Sequence, residues 1–226
     1  MALENSPDWR RLQKNIRDFP DAGAGPENQE IIRIVGPTII KQKGRGMGRL
    51  PDIDETKLSS EQRRIYDQIM VARGHVRGPF GVWLRNAELC ENTLKLQEMF
   101  ASRVKLERRL VQLMILVAAR LTTAHYAWFI HEPHALNFGI TPDIVEAIRE
   151  RRTPNFTRED ERVVYDITME LNITRSLSEA NYQRGMAILG EQSMVELVSA
   201  IGFYVMVAMT LNAFAVPIPG GKERLA

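Results

Sequence analysis

Cysteine is almost missing from this sequence, since Cys90 is the single one among 226 residues. A lone cysteine excludes an internal disulfide and any dithiol redox pair within the chain. Net charge is nearly missing as well, because 30 basic and 28 acidic side chains leave only +2. Such a balance supplies no basic field for a nucleic acid or an anionic membrane. We therefore expect a reduced, cytoplasmic protein with neither of these partners.

Nucleotide and metal signatures are also missing. No GxGxxG, P-loop or zinc-finger spacing occurs, so we expect no cofactor and no bound metal. The first residues, MALENSPDWRRLQ, lack the apolar stretch of a secretory signal. One apolar run, Met194 to Phe214, is long enough to cross a bilayer. A helix apolar on every side is more simply a buried core or subunit-interface helix, so we expect no membrane span.

The sequence does contain helix signals, and these divide residues 51 to 220 into about eight segments. Capping residues stand before apolar periodic stretches. They are Ser59 with Gln62, Asn86, Thr141 before Pro142, Thr157 with Asp160, and Ser178. No convincing strand alternation separates them. Residues 51 to 220 are therefore predicted to form a single all-α domain of about eight helices.

Residues 1 to 50 differ in character and are predicted to form an irregular N-terminal extension or arm. The stretch DFPDAGAGPENQE is rich in glycine, proline and acid, and KQKGRGMGRLP is rich in glycine and base. Between them, residues 31 to 40 read IIRIVGPTII, which is β-branched enough for a short strand or small hairpin.

Three of the four histidines fall in one short stretch, AHYAWFIHEPHALNFG, at residues 124 to 139. On a helix, His125 and His131 point about 120° apart, and His131 and His134 about 60° apart. No single face holds all three, and the spacing is not HExxH, so a metal would need a further ligand such as Glu132 or His75. Pro133 would kink the helix or start a new one.

A histidine that carries a proton explains the cluster without a metal, because imidazole titrates near neutral pH. His131 is the first choice for the general acid or base, and a buried structural histidine is the competing interpretation. His134 and Tyr126 are weaker catalytic candidates, and His125 is a candidate for substrate contact.

An acidic small-molecule substrate would need a cation and apolar walls. Arg77 and Phe80 in RGHVRGPFGVW, together with Arg120, are candidates for these roles. Trp128 could stack on a flat ring. Each has a structural alternative: Phe80 and Trp128 as core aromatics, and Arg120 as a cap on its own helix C-terminus.

The chain resembles the long form of the carboxymuconolactone decarboxylase family, whose superfamily also contains alkylhydroperoxidase-D-like (AhpD-like) proteins. Five stretches carry the resemblance in order: RGPFGVWLRNAEL, LVQLMILVAARL, HYAWFIHEPHALNFGI, VVYDITMEL and GFYVMVAMTLNAFAVPIP. They span about residues 49 to 219. The resemblance implies an all-α fold whose subunits assemble into trimers or hexamers, and a lyase acting on a small molecule.

The departures from the family pattern bear on the reaction. With His131 aligned on the family histidine, eight residues before Gly139, the two redox cysteine positions fall on Ala124 and Ala127. The glutamate of the preceding helix falls on Gln112. Without a thiolate nucleophile and a resolving thiol, thiol peroxidase chemistry is excluded.

Two classes of function remain. The first is a cofactor-independent, decarboxylase-like enzyme in which His131 moves a proton on a small cyclic acid or lactone, by decarboxylation, lactone opening or isomerisation. The second is a non-catalytic oligomeric or ligand-binding protein that has lost the family's catalytic pair. A histidine-metal oxidative enzyme is a third, less favoured alternative.

Overall fold

The computed structural model describes residues 48–221 and Leu225, and within them it contains nine α-helices and no strand. The helices are α1 (Ser60–Arg73), α2 (Pro79–Trp83), α3 (Ala87–Ser102), α4 (Arg108–Leu121), α5 (His125–Asn137), α6 (Pro142–Arg149), α7 (Glu159–Thr174), α8 (Glu179–Leu189) and α9 (Glu191–Ala213). A short 3₁₀ turn, Glu55–Lys57, precedes them. The all-α prediction is confirmed. The strand expected at residues 31 to 40 lies outside the described residues.

Most helices begin where the sequence predicts. Ser59 and Gln62 form a reciprocal capping box at α1, Asn86 accepts from the Leu89 amide at α3, and Ser178 accepts from the Asn181 amide at α8. The expected cap at Thr157 is wrong. Helix α7 begins at Glu159 behind Arg158, which makes no side-chain cap.

Acidic residues replace the missing cap on α7. Glu159, Asp160 and Glu161 all lie in the first turn, where negative charge is favourable beside the exposed amides. The short helix α2 has no counterpart in the sequence prediction. It begins with a proline and lasts only five residues, which is too few to show a helical period.

Helix α4 is the centre of the core. Its residues 109 to 120 are buried except for Gln112, and it packs against α5, α7 and α9. The run is apolar on nearly every side, as expected for a helix surrounded by others. Gln112 is therefore the one polar side chain within residues 109 to 120 that is only partly buried. It is the residue that contacts His131.

Helix α9 corresponds to the long apolar run of the sequence. Among the described residues it is the one helix long and apolar enough to cross a membrane, and half of its apolar window is buried within the domain. It packs against α4, α7 and α8. Val195 and Met209 leave 63% and 60% of their surface exposed on the opposite side. The helix therefore has one face in the core and one apolar face on the surface.

Candidate active site

A hydrogen bond between two neighbouring helices fixes the side chain of His131. The Nδ1 atom of His131 on α5 lies 2.9 Å from Oε1 of Gln112 on α4. A carbonyl oxygen only accepts, so Nδ1 carries the proton and Nε2 of the neutral ring keeps its lone pair. Gln112 occupies the position at which the resemblance places a glutamate, and it keeps the contact to the histidine.

The surroundings of His131 favour its neutral form. Burial, with a smaller contribution from nearby His134, lowers the pKa of His131 to about 3. The imidazole is half-buried. Its Nε2 has no hydrogen-bond partner among the described residues, and this atom is not fully buried. The ring is therefore neutral at neutral pH. The role of His131 as general acid or base stays a prediction, and its burial fits the competing structural interpretation as well.

The ring of one tyrosine packs against this imidazole, and that residue, Tyr204, was not predicted from the sequence. The ring of Tyr204 on α9 meets His131 edge-on at 5.6 Å between centroids. Burial raises the pKa of Tyr204 to about 12 and also raises the pKa of Tyr126. Within residues 48–221 neither phenol has a hydrogen-bond partner, and neither oxygen is fully buried. Both hydroxyls remain protonated and can donate to a ligand.

Glycine in the loop before α2 sets the position of Tyr126. Gly78 has φ of +64°, and a Cβ on it would lie 2.8 Å from the Tyr126 ring. The loop RGHVRGPFG therefore admits a tyrosine of its own chain at the place where the sequence suggested room for a ligand. Arg77 in this loop is exposed and lies within electrostatic range of the Tyr126 phenol.

Arg73 at the end of α1 is a second residue of this region that was not predicted from the sequence. Its guanidinium stacks over Phe80 at 4.6 Å and donates a hydrogen bond to Gln97. It also interacts electrostatically with both Tyr126 and Tyr204. Phe80 itself is only 4% exposed and packs edge-on against Trp83. Phe80, which was predicted to form an apolar wall for the substrate, is thus a core residue whose ring supports the guanidinium of Arg73.

Three predicted substrate-binding residues lie on the other flank of α5. The buried Trp128 indole donates to Glu132, and Glu132 is ion-paired with Arg149. Arg120 donates through Nε to the Arg149 carbonyl at 2.6 Å, so it caps the C-terminus of α6 and not that of its own helix. His125 stands one turn before Trp128, and its buried Nδ1 has no hydrogen-bond partner among the described residues.

The histidines do not converge on a metal position. His134 is exposed, with its ring 6.1 Å from that of His131, and His75 is exposed in the loop before α2. Within the part of the chain that the structure describes, no three His, Cys, Asp or Glu side chains come close enough to share a metal ion. Helix α5 continues through Pro133, so no new helix starts there.

The redox positions implied by the resemblance lie beside His131 in the fold. Ala124 and Ala127 are both buried, and Ala127 stands one turn before His131. The one cysteine, Cys90, is fully buried on α3, and burial raises the pKa of its thiol to about 11. A thiol with so high a pKa is a poor nucleophile at neutral pH. The described site therefore has a neutral imidazole and no activated thiol.

Solved structures share this fold. No family model and no curated protein matches the sequence. An uncharacterised peroxidase-related protein from Silicibacter sp. TM1040 aligns with a TM-score of 0.64 at 16% identity, covering 80% of this chain and 97% of its own. The AhpD core of a peroxidase-related protein from Ralstonia eutropha JMP134 aligns with a TM-score of 0.62 at 10% identity, covering 80% and 94%.

A third solved structure in this group contains a ligand. The debrominase Bmp8 in complex with 2,3,4-tribromopyrrole aligns with a TM-score of 0.60 at 13% identity, covering 75% of this chain and 91% of its own. The chain thus has the same all-α fold as these AhpD-like and peroxidase-related proteins. The fold resemblance seen in the sequence is confirmed, and the single cysteine agrees with the lack of a redox cysteine pair.

Proposed function

We propose that this protein is a cofactor-independent enzyme in which His131 acts as a general base on a small cyclic carboxylic acid or lactone. The observation that carries the proposal is the hydrogen bond from Nδ1 of His131 to Gln112. That bond fixes the tautomer, so Nε2 keeps its lone pair and can accept a proton.

The chemistry follows from the groups around that nitrogen. Nε2 takes the proton from a carbon next to the substrate carbonyl, and the C–H electron pair moves toward the carbonyl oxygen to give an enolate. A neutral phenol, from Tyr204 or Tyr126, donates a hydrogen bond to the enolate oxygen. Return of the proton from the imidazolium to another carbon completes an isomerisation. In lactone opening the enolate electron pair breaks the ring C–O bond, and the ring oxygen leaves as a carboxylate. In decarboxylation the C–C bond to the carboxylate breaks, CO₂ leaves, and the resulting enolate takes up a proton from the imidazolium.

The size and shape of the surrounding side chains support a flat, small substrate. The aromatic ring of Tyr204 packs against His131, and its hydroxyl has no hydrogen-bond partner in residues 48–221. Flat rings pack favourably against such faces. A fold neighbour, the debrominase Bmp8, binds a brominated pyrrole, which is a small planar ring. The buried Cys90 argues against a thiol-dependent reaction for this chain.

Deuterium exchange tests the proposal directly. The protein is incubated in D₂O with a panel of unsaturated lactones and cyclic carboxylic acids, and proton NMR follows the loss of signal next to the carbonyl. We expect exchange or conversion with the wild type and a loss of about 100-fold or more in His131→Asn, as for removal of a general base. The exposed residue change His75→Asn is the matched control and should keep the wild-type rate.

The competing function is a ligand-binding protein without catalysis. It is favoured by Ala124, Ala127 and Gln112 at the positions of the family's reactive groups. Binding of panel members without any exchange would support this alternative. Exchange that survives in His131→Asn would contradict the proposed base.

A further inference from the structure

The geometry points to Arg73 as the anion-binding residue of this site, with the carboxylate of a small flat acid as its ligand. Arg77 and Arg120 were the arginines predicted for that role, and the structure places neither beside both tyrosines. This inference rests on the proposed function, because it assigns the substrate carboxylate within the same site.

Arg73 is a cation without an ion pair among the residues that the structure describes. In residues 48–221 no carboxylate lies within salt-bridge distance of its guanidinium, whereas most partly buried arginines of this chain, such as Arg109 and Arg184, have one or more. Its hydrogen bond within the same residues goes to the neutral side chain of Gln97. The guanidinium has five N–H donors, so several remain for a ligand.

The groups around Arg73 do not neutralise its charge. Burial raises the pKa values of Tyr126, Tyr204 and Cys90, so all three are uncharged at neutral pH. Glu98 is an acidic side chain that interacts with Arg73 electrostatically, and it makes no ion pair with it. Partial burial without a partner costs free energy, and a bound carboxylate would recover it.

The position of Arg73 suits a substrate that spans the site. Its guanidinium is held flat over the Phe80 ring, which orients the planar fork of donors. It lies within electrostatic range of Tyr204, and the Tyr204 ring contacts His131. Tyr204 is therefore the residue that links Arg73 to His131. A carboxylate on Arg73 would place the rest of a small ring near Tyr204 and toward the base.

Titration calorimetry with benzoate tests the inference, and benzamide serves as the neutral probe of the same shape. We expect Arg73→Gln to weaken benzoate binding about tenfold or more, as for loss of a charged hydrogen-bond partner. Benzamide binding should change little. Arg77→Gln removes the same charge from the exposed loop nearby and should leave benzoate binding within about threefold of the wild type.

A measurement on the wild-type protein covers the case in which Arg73→Gln does not fold. The ¹⁵N signal of the Arg73 guanidinium, assigned with Arg73→Lys, should shift on addition of benzoate. A wild type that binds no benzoate at millimolar concentration, a benzoate-induced shift at Arg77 alone, or unchanged benzoate binding in folded Arg73→Gln would each overturn the inference.

The test separates this inference from the proposed function. His131→Asn should keep the benzoate affinity, because the substitution leaves Arg73 untouched. Loss of turnover in His131→Asn with unchanged benzoate binding in Arg73→Gln would remove the anion site and keep the base. Benzoate binding that depends on Arg73, without turnover of any panel compound, would keep the anion site and remove the proposed base.

Discussion

Acidification is expected to destabilise the folded protein through His131. In the unfolded chain this histidine has its ordinary pKa of 6.5, and in the folded protein burial lowers its pKa to about 3. Between these values the unfolded state binds more protons than the folded state. The free energy of unfolding is therefore unaffected above pH 6.5 and falls as the pH drops toward 3.

The size of the effect follows from the two pKa values. Each pH unit below the unfolded pKa lowers the free energy of unfolding by about 1.4 kcal/mol. At pH 5 His131 therefore lowers the free energy of unfolding by about 2 kcal/mol relative to pH 8. Since part of the imidazole meets water, we take this figure as an upper bound. A loss of that size is a large part of the stability of a typical domain.

Urea unfolding at pH 8 and pH 5 measures the contribution as a difference between proteins. His131→Asn keeps a donor near Gln112 but cannot be protonated, so its unfolding free energy should fall by about 2 kcal/mol less than that of the wild type. Carboxylates and other histidines contribute equally to both proteins. His75→Asn should retain the wild-type dependence, because His75 is exposed in the folded protein. Equal pH dependence of the wild type and His131→Asn would refute the reasoning.

Two further predictions concern the neighbour of the histidine and the surface of α9. Gln112→Glu places a carboxylate at hydrogen-bond distance from Nδ1 of His131, so the pKa of His131 should rise by about 1–3 units; an NMR titration of the ring that shows no rise would contradict the geometry. The homo-oligomer implied by the family resemblance remains a prediction, and the exposed apolar face of α9 is its expected interface. Val195→Glu should therefore weaken self-association about tenfold or more in light scattering, whereas Val71→Glu, on the surface of α1, should not. A wild type that is monomeric, or a Val195→Glu variant that associates normally, would contradict this prediction.

The helices were predictable because their signals are local. Capping residues such as Ser59 and Ser178 satisfy backbone amides within one turn, so the sequence shows them directly. The cap predicted at Thr157 was wrong, because three acidic residues after it stabilise the helix start in its place. Helix α2 was missed, since its five residues are too short for a periodic pattern.

The candidate site was predictable only in part. His131 was found through its position in the resemblance, and Gln112 was placed at the position that faces it. Arg73 and Tyr204 gave no signal, because one ends an ordinary amphipathic helix and the other lies within an apolar run. Trp128 and Arg120 looked available for a ligand and instead bond to Glu132 and to the end of α6.

The sequence by itself determined the class of fold, most of the helix starts and the lack of a cysteine pair. These properties depend on local periodicity, on capping within a few residues and on composition. Only the tertiary structure decided which nitrogen of His131 bonds to Gln112 and that Tyr204 packs against its ring. Those facts depend on contacts between helices far apart in the chain, and a side chain's ionisation depends on everything packed around it.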